Sequence, residues 1–497
     1  MTSRYDAPGM IFSDEGLSPV FREIPFVRPD ILYGCLRAPK SLLFESVKGP
    51  GNIARYSFIG LDPYLVLTVK DGLVETDWRG RKGLSYRNPL ERLRELLAGY
   101  RQKPVEGLPP FQGGAAGMLS YDFSRYLERL PHNAVDDLHL PDAHIFMLDR
   151  IVAFDHMLEK SWIVVCPGAQ ERGLGYSGGD SSPKIYAEEA EEVVRHIYEK
   201  IARGLSSSCV ELPVPRRTTY NAPAVIKDDT GKDRYIRMVE KAKEYIAAGD
   251  IFQANLSLRV SADVGDSNPW DMYRVLREIN PSPFSCFIDF GRYQIVSSSP
   301  ERLVRVNERV VDTRPIAGTR PRGSDLAEDE RMRAELLLNE KERAEHIMLI
   351  DLERNDLGRV ADYGTVAVDE LMITEEYSHV IHIVSNVKGV LAEGKDCIDV
   401  IKATFPGGTI TGVPKVRCME IIDELEPFRR GPYTGSAGYI GFSGNMDFNI
   451  IIRTLLKKEG RAYIQAGAGI VADSDPEREY QESIKKAEAL IRTVERI

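Results

Sequence analysis

The stretch "AYIQAGAGIVADSDPEREYQESIKKAEALIRTVERI", residues 462–497, decides the fold. A strand-like "AYIQ" runs into the glycines of "AGAGIVA", as in a dinucleotide fingerprint. That fingerprint needs a helix opening on the glycines inside a strand–helix–strand unit. Here "VADSDP" stands where the helix should start, and no such unit surrounds it. The glycines read instead as places where backbone N–H groups can approach a ligand. The helix begins later, with Ser474 or Asp475 as its cap and Pro476 in its first turn. Elsewhere strand-like runs, such as residues 251–260, 284–290 and 294–297, follow one another across short turns, and no internal repeat or heptad pattern is visible. This mixture predicts an α+β fold rather than a doubly wound sheet.

On the last helix Glu479, Glu482 and Lys486 fall within about 60° of each other. Ile484, Ala487, Ile491 and Val494 form a separate apolar stripe. A second helix, predicted over residues 329–352, carries "NEKERAEHIMLIDLERND" and places Glu342 and Glu345 one turn apart. If the two helices face each other, four carboxylates repel unless a hard cation lies between them, and magnesium suits such oxygen ligands. The competing reading is a set of solvated glutamates with i,i+4 partners.

Moving outward, residues 18–166 read as one mixed unit, with "SLLFESV" and "SWIVVC" as strands and "PLERLRELLAGYRQ" as an amphipathic helix. Residues 167–230 are rich in Gly, Ser and Pro and read as a connector with one helix over 186–202. Residues 231–497 form the second regular unit, opened by the helix "KDRYIRMVEKAKEYIAAG" and its closing Gly249. The "GYSGG" at residues 175–179 matches a nucleophile elbow, but it lies in a polar loop rather than between a strand and a helix.

The net charge of -10 argues against nucleic-acid and anionic-membrane partners. No signal peptide or membrane-length apolar run is visible. The six scattered cysteines form no CxxC pair, which suits reduced thiols in a cytoplasmic protein.

Several long stretches resemble a known family: "ARYSFIG", "FQGGAAGMLSYD", "GDIFQANLS", "RPIAGTRPRG", "NEKERAEHIMLIDLERNDLGRV", "YSHVIHIVSNV", "FPGGTITGVPKVRCMEIIDELEP", "NIIIRTL" and "QAGAGIVADSDPEREY". They are similar to the chorismate-using enzymes, namely anthranilate synthase component I, aminodeoxychorismate synthase component I and the isochorismate synthases, over roughly residues 18–490. The resemblance implies two large sheets packed as a sandwich with helices outside. It implies a first unit, 18–166, with a tryptophan pocket, and a chorismate-binding catalytic unit, 231–497. It implies Mg2+ on Glu345 and Glu482, with Glu342 and Glu479 in support, and chorismate on Gly318, Thr319, Tyr433, Arg453, Gly467, Ala468, Gly469 and Lys486. Glu345, His382 and Thr409 are the implied catalytic residues, the last two near the reacting ring. Glu45, Ser46, Pro283, Phe284 and Ser285 match the tryptophan pocket; the bland reading of Ser46 is a hydroxyl satisfied by local backbone.

The substitutions narrow the reaction. Gln253 stands where isochorismate-forming relatives carry a lysine base, and an amide is no general base near neutral pH. Amination by ammonia remains. Ala317, in "PIAGT", replaces a lysine that many aminodeoxychorismate synthases use covalently, and by itself points to anthranilate synthase. Phe284, Ser285, Asn255 and the stretch "YTGSAGYIGFSGNMDFNIIIRT" point instead to a "PIAGT"-containing branch of aminodeoxychorismate synthase component I. No cysteine lies in a G-x-C-x-G elbow, so ammonia is expected from a separate glutaminase subunit.

Overall fold

The glycine-bearing stretch is one continuous strand, Arg461–Ile470. It leaves the strand Thr454–Lys458 through a two-residue turn, Glu459–Gly460, with φ of 48° and 73°. That geometry suits the twist of a tight hairpin. On its other side it pairs with Gln253–Asp263, from Ala254↔Ile470 to Asp263↔Arg461. The computed structural model describes residues 17–51, 53–172, 183–206, 225–323, 325–376 and 380–497.

Among these residues, two sheets of twelve strands each form the body. Both sheets run through both halves of the chain. In one, Ser41–Glu45 pairs with Phe284–Asp289, setting Glu45 opposite Ser285. In the other, Gly114–Leu119 pairs with Ser436–Gly441, setting Leu119 opposite Ser436.

Four layers result. Leu42, Ile288 and Ile295 of the first sheet meet Val66, Phe146 and Tyr439 of the second in a common core. Helices Pro29–Leu36, Pro183–Ser206, Lys232–Ala247, Pro269–Ile279 and Pro476–Arg496 cover the first sheet's outer face. Helices Pro89–Ala98, Glu340–Gly358 and Cys397–Thr404 cover the second's. Strand Arg150–Asp155 shows why its sequence is an unbroken apolar run: Ile151 and Ala153 face the inter-sheet core, Val152 and Phe154 the helices.

Three expectations change. The predicted helix over 329–352 is two helices, Leu326–Leu338 and Glu340–Gly358, broken at Asn339. Asn339 is extended and its side chain accepts from the Glu342 N–H at 3.0 Å, so an N-cap interrupts what the periodicity reads as continuous. Around the connector, helix Pro183–Ser206 is longer than predicted and is joined by the short helix Ala169–Arg172 and the strand Ile226–Asp228, which pairs with Gln253–Asp263. On the last helix the buried line is Ser483, Ala487, Leu490, Thr493 and Val494, with Ile484 and Ile491 flanking it. The "GYSGG" of 175–179 lies outside the described residues. Cys166, Cys286, Cys397 and Cys418 are buried free thiols and Cys35 is partly buried. Among the described residues no helix is long and apolar enough to cross a membrane.

A buried ion pair ties the layers together around Arg430. Its guanidinium meets both Glu426 oxygens, at 2.9 and 2.7 Å, and donates to the carbonyls of Ile410 and Asn255 at 3.0 and 2.6 Å. Glu426 in turn accepts from the Ser257 N–H and hydroxyl, each at 2.8 Å. Removing one partner leaves an uncompensated buried charge, so Arg430→Met should lower unfolding stability by ~3–5 kcal/mol in chemical denaturation. Glu426→Leu combined with Arg430→Met should recover most of that loss. An equal loss in both variants would assign the stability to the backbone bonds rather than to the charge pair.

Candidate functional site

The strand Ile316–Pro321 pairs with Val380–Val390, and a bulge falls between Ala317 and Thr319. Gly318, at φ 69°, sits in that bulge, and a Cβ there would lie 2.3 Å from Glu342 Oε2. The turn around Ala317 is thus built on a position that favours glycine. His382, opposite Thr319, donates from Nδ1 to the Gly318 carbonyl at 3.3 Å. Burial holds the His382 ring down at about 4, with the Arg453 charge adding to it against the Gly318 bond. The imidazole is neutral at working pH.

Four glutamates come from two helices, as expected. Burial raises the Glu345 carboxyl above its ordinary value, and the charges of Glu342, Asp473 and Glu479 push it further against Lys341. Burial likewise raises Glu479, with Glu482 pushing the same way. Lys341, in the first turn of one helix, pairs with Asp473, just before the other, at 2.9 Å, so the N-terminal ends of the two helices lie near each other. The four side chains do not meet at one point, and among the described residues no three metal-ligating groups converge. Glu342 Oε1 is taken by Arg320 at 2.6 Å and Glu482 by Lys486 at 2.8 Å. Glu342 Oε2, however, is buried and finds no partner.

Lys486 also donates to the Gly467 carbonyl at 3.1 Å, which joins the helix to the glycine strand. Arg453, in the left-handed region at φ 52°, donates to the Lys486 carbonyl at 3.0 Å. A non-glycine residue held there is strained, as at many binding sites. Burial pulls its guanidinium below the ordinary value, while the nearby Tyr433 works against that. Ala468 lies opposite Leu256, and Gly467 and Gly469 flank it. A Cβ at Gly467 would strike the Leu256 carbonyl at 2.3 Å, and one at Gly469 the Gln253 amide at 2.3 Å. These glycines answer to a close neighbouring strand, not to a helix start.

Thr409 donates to Glu301 Oε1 at 2.8 Å. Glu301 went unnoticed in the sequence. It is buried, and burial pushes its carboxyl up to about 7 against the Thr409 bond. Its carbonyl accepts from Ile450 N–H at 3.0 Å, and the Arg453 carbonyl accepts from Ser298 N–H at 3.1 Å, so the acid and Arg453 belong to paired segments. The run "SSSPER" carries no local signal of this, since an exposed loop glutamate reads identically.

The residues matching a tryptophan pocket also meet. Glu45, Ser46, Pro283, Phe284 and Ser285 line one cavity of about 820 Å³ between the sheets. Their polar groups are already engaged. Glu45 takes Arg277 at 2.8 Å and Tyr273 at 2.7 Å. The Ser46 hydroxyl lies 2.8 and 3.0 Å from the Tyr56 and Pro283 carbonyls, and Ser285 donates to the Ser282 carbonyl at 3.1 Å.

Known proteins resemble this chain in sequence and fold. The profile of chorismate binding enzymes matches residues 41–492. An aminodeoxychorismate synthase component 1 from Bacillus subtilis is 41% identical over 481 residues, covering 96% of this chain and 97% of that protein. An anthranilate synthase component 1 from Acetivibrio thermocellus is 43% identical over 458 residues, 91% and 90% of the two chains. The crystal structure of anthranilate synthase component I from Streptococcus pneumoniae superposes with a TM-score of 0.77 at 36% identity, covering 88% of this chain and 92% of that one. With the glycine strand, the glutamates of the two helices and the family profile in agreement, this chain belongs to the chorismate-binding enzymes, in the group of aminodeoxychorismate and anthranilate synthase component I.

Proposed function

We propose that the chain is component I of an aminodeoxychorismate synthase, replacing a hydroxyl of chorismate by ammonia with release of water and leaving 4-amino-4-deoxychorismate. The observation that carries the amination is a buried carboxyl, Glu301, held by Thr409 at 2.8 Å, with an amide at Gln253 and a methyl at Ala317 where relatives carry lysines. Glu301, steadied by Thr409, can protonate the departing hydroxyl. Gln253 beside Gly469 cannot activate water, and Ala317 cannot form a covalent adduct. Ammonia arriving neutral needs neither. With no G-x-C-x-G cysteine in the sequence, it comes from a glutaminase subunit, in keeping with relatives named as a component 1.

Chorismate carries two carboxylates. Arg453 and Lys486, with backbone N–H groups around Gly467 to Gly469, suit one of them. Gly318, Thr319 and Tyr433 match further chorismate-binding positions, with His382 as a neutral donor or acceptor near the ring. Glu345 and Glu482, supported by Glu342 and Glu479, would hold magnesium, which when bound neutralises the other carboxylate. The residues fit a hard cation. They offer oxygen donors, the unpartnered Glu342 Oε2, and two carboxyls that burial and mutual repulsion leave uncomfortable.

C4 amination is favoured by the longer sequence stretches and by the wiring of Glu45, Ser46 and Ser285. These groups are spent on the chain itself, which suits an enzyme without amino-acid feedback there. A second reading, anthranilate synthase, is favoured by Ala317 and by relatives of that name at similar identity.

Purified chain supplied with chorismate, magnesium and ammonium should yield a chorismate-sized amine by chromatography with mass detection. Anthranilate and pyruvate would select the second reading. Excess tryptophan should leave the rate unchanged in the same assay. Glu345→Gln should lower magnesium-dependent turnover about 100-fold or more with the fold retained by circular dichroism. Unaltered turnover and magnesium dependence would remove Glu345 from the metal set.

A further inference from the structure

The stretch Thr313–Gly323 carries three arginines, and each donates to carboxylates of the chain. Arg314 meets Glu375 at 2.9 Å and Glu370 at 2.5 Å. Arg322 donates to Asp329 at 3.0 Å. Arg320, in the bulged strand Ile316–Pro321, donates from Nε to Glu335 Oε1 at 3.0 Å and from Nη1 to Glu342 Oε1 at 2.6 Å. Glu335 belongs to the helix Leu326–Leu338 and Glu342 to the helix Glu340–Gly358. One guanidinium therefore spans the break at Asn339. Its planar fork can hold two carboxylates in fixed directions, which the single point charge of a lysine cannot do as well.

The two oxygens of Glu342 are left in different circumstances. Its backbone is fixed by Asn339, whose side chain accepts from the Glu342 N–H at 3.0 Å. Oε1 is taken by Arg320. Oε2 is buried without a hydrogen-bond partner, and it lies beside Gly318, where an added Cβ would stand 2.3 Å from it. Leu336 of the first helix closes the same spot, 3.0 Å from that Cβ position. Leu336 is fully buried with Ile381 and Ile383, on the strand that pairs with Ile316–Pro321. A buried carboxylate oxygen with no donor is costly, and buried charges in proteins are paired or coordinate metals. A glutamate has three side-chain torsions to lose on ordering, and here the bond to Arg320 fixes them.

We propose that Arg320 is a positioning residue for the proposed magnesium site: it holds one oxygen of Glu342 so that the other is presented beside Gly318, one helical turn from Glu345. Resting on the reading of Glu342, Glu345, Glu479 and Glu482 as the groups that hold the metal, this role differs from that of a counter-charge. A counter-charge competes with the metal, so its removal would tighten metal binding, by about threefold for a partly exposed group at moderate salt. An outer partner that orients a carboxylate does the opposite, and its removal costs about 10- to 100-fold in metal affinity. The two roles predict opposite signs. On this assignment the arginines of the stretch serve the chain's own carboxylates, while Arg453 and Lys486 serve the substrate's.

Metal binding to the full chain is read with Mn2+ as the probe, through the loss of its free-ion paramagnetic resonance signal, with Mg2+ as competitor. Arg320→Met should weaken Mn2+ binding about tenfold or more with an unchanged circular dichroism spectrum. Arg320→Lys, which keeps the charge but not the fork, should fall between that variant and the parent. If Arg320→Met does not fold, Arg320→Lys decides the matter, and binding as tight as the parent's then overturns the proposal. In a Glu342→Gln background Arg320→Met should add less than about a twofold loss, because the group through which it acts is gone. Binding unchanged or tightened in folded Arg320→Met overturns the proposal, and so does a second full loss in the Glu342→Gln background, which marks general loosening. The metal reading fails separately: a parent chain whose Mn2+ is not displaced by Mg2+, or whose binding survives Glu345→Gln intact, overturns that reading and the proposal with it. Normal binding in the parent beside an unaffected Arg320→Met overturns the proposal alone.

Discussion

The arrangement of the site depends on one buried cation. Arg430 lies between the rings of Tyr121 and Tyr433, 4.8 and 5.6 Å from their centroids, and its donors are spread over three separate segments. It holds the carbonyl of Ile410, next to Thr409; the carbonyl of Asn255, opposite Gly469; and the hydroxyl of Thr434, next to Tyr433. Each of these neighbours a residue of the proposed chorismate site. A guanidinium out of water is tolerable only because Glu426 meets it bidentately and Ser257 satisfies what remains of Glu426. The same pair that removes a charge from solvent thus sets the spacing between the turn, the glycine strand and the ring pocket.

The first half of the chain contributes to this geometry without lending a residue to the proposed chemistry. Tyr121 forms one side of the Arg430 sandwich, and the neighbouring Asp122 accepts from the Gly431 N–H at 2.9 Å. Strand Gly114–Leu119 flanks the strand Ser436–Gly441 that follows Tyr433. Because both sheets pass through both halves, the second half cannot close its sheets alone. This explains why residues that look remote from catalysis in sequence, such as those around 114–122, lie against its floor.

Much of this was readable from local patterns. The caps and turns did as their chemistry dictates: Asp475 accepts from the Arg478 N–H at 2.9 Å, and Gly249 takes φ 81° at the end of its helix. The spacing of Glu342 with Glu345, and of Glu479 with Glu482, one turn apart, followed from helical periodicity. What stayed hidden depends on burial that periodicity does not encode. Asn339 breaks a helix because its side chain caps the next one, yet Asn inside a periodic run reads as a weak helix residue. Glu301 is indistinguishable from a loop glutamate until the strands around it pair.

Glu301 also bears on Ala317, in the bulged strand Ile316–Pro321. A lysine at position 317 would bring a positive charge and a nucleophile to the bulge beside Gly318 and His382. With alanine there, the turn offers backbone and a glycine, and the reacting groups are the neutral His382 and the acid Glu301. A site relying on an incoming neutral nucleophile has no use for a base, but it does need a proton for the departing hydroxyl at a pH where enough ammonia is unprotonated. Those demands conflict, because free ammonia rises with pH while an ordinary carboxyl has long since ionised. Burial moves Glu301 partway toward that pH.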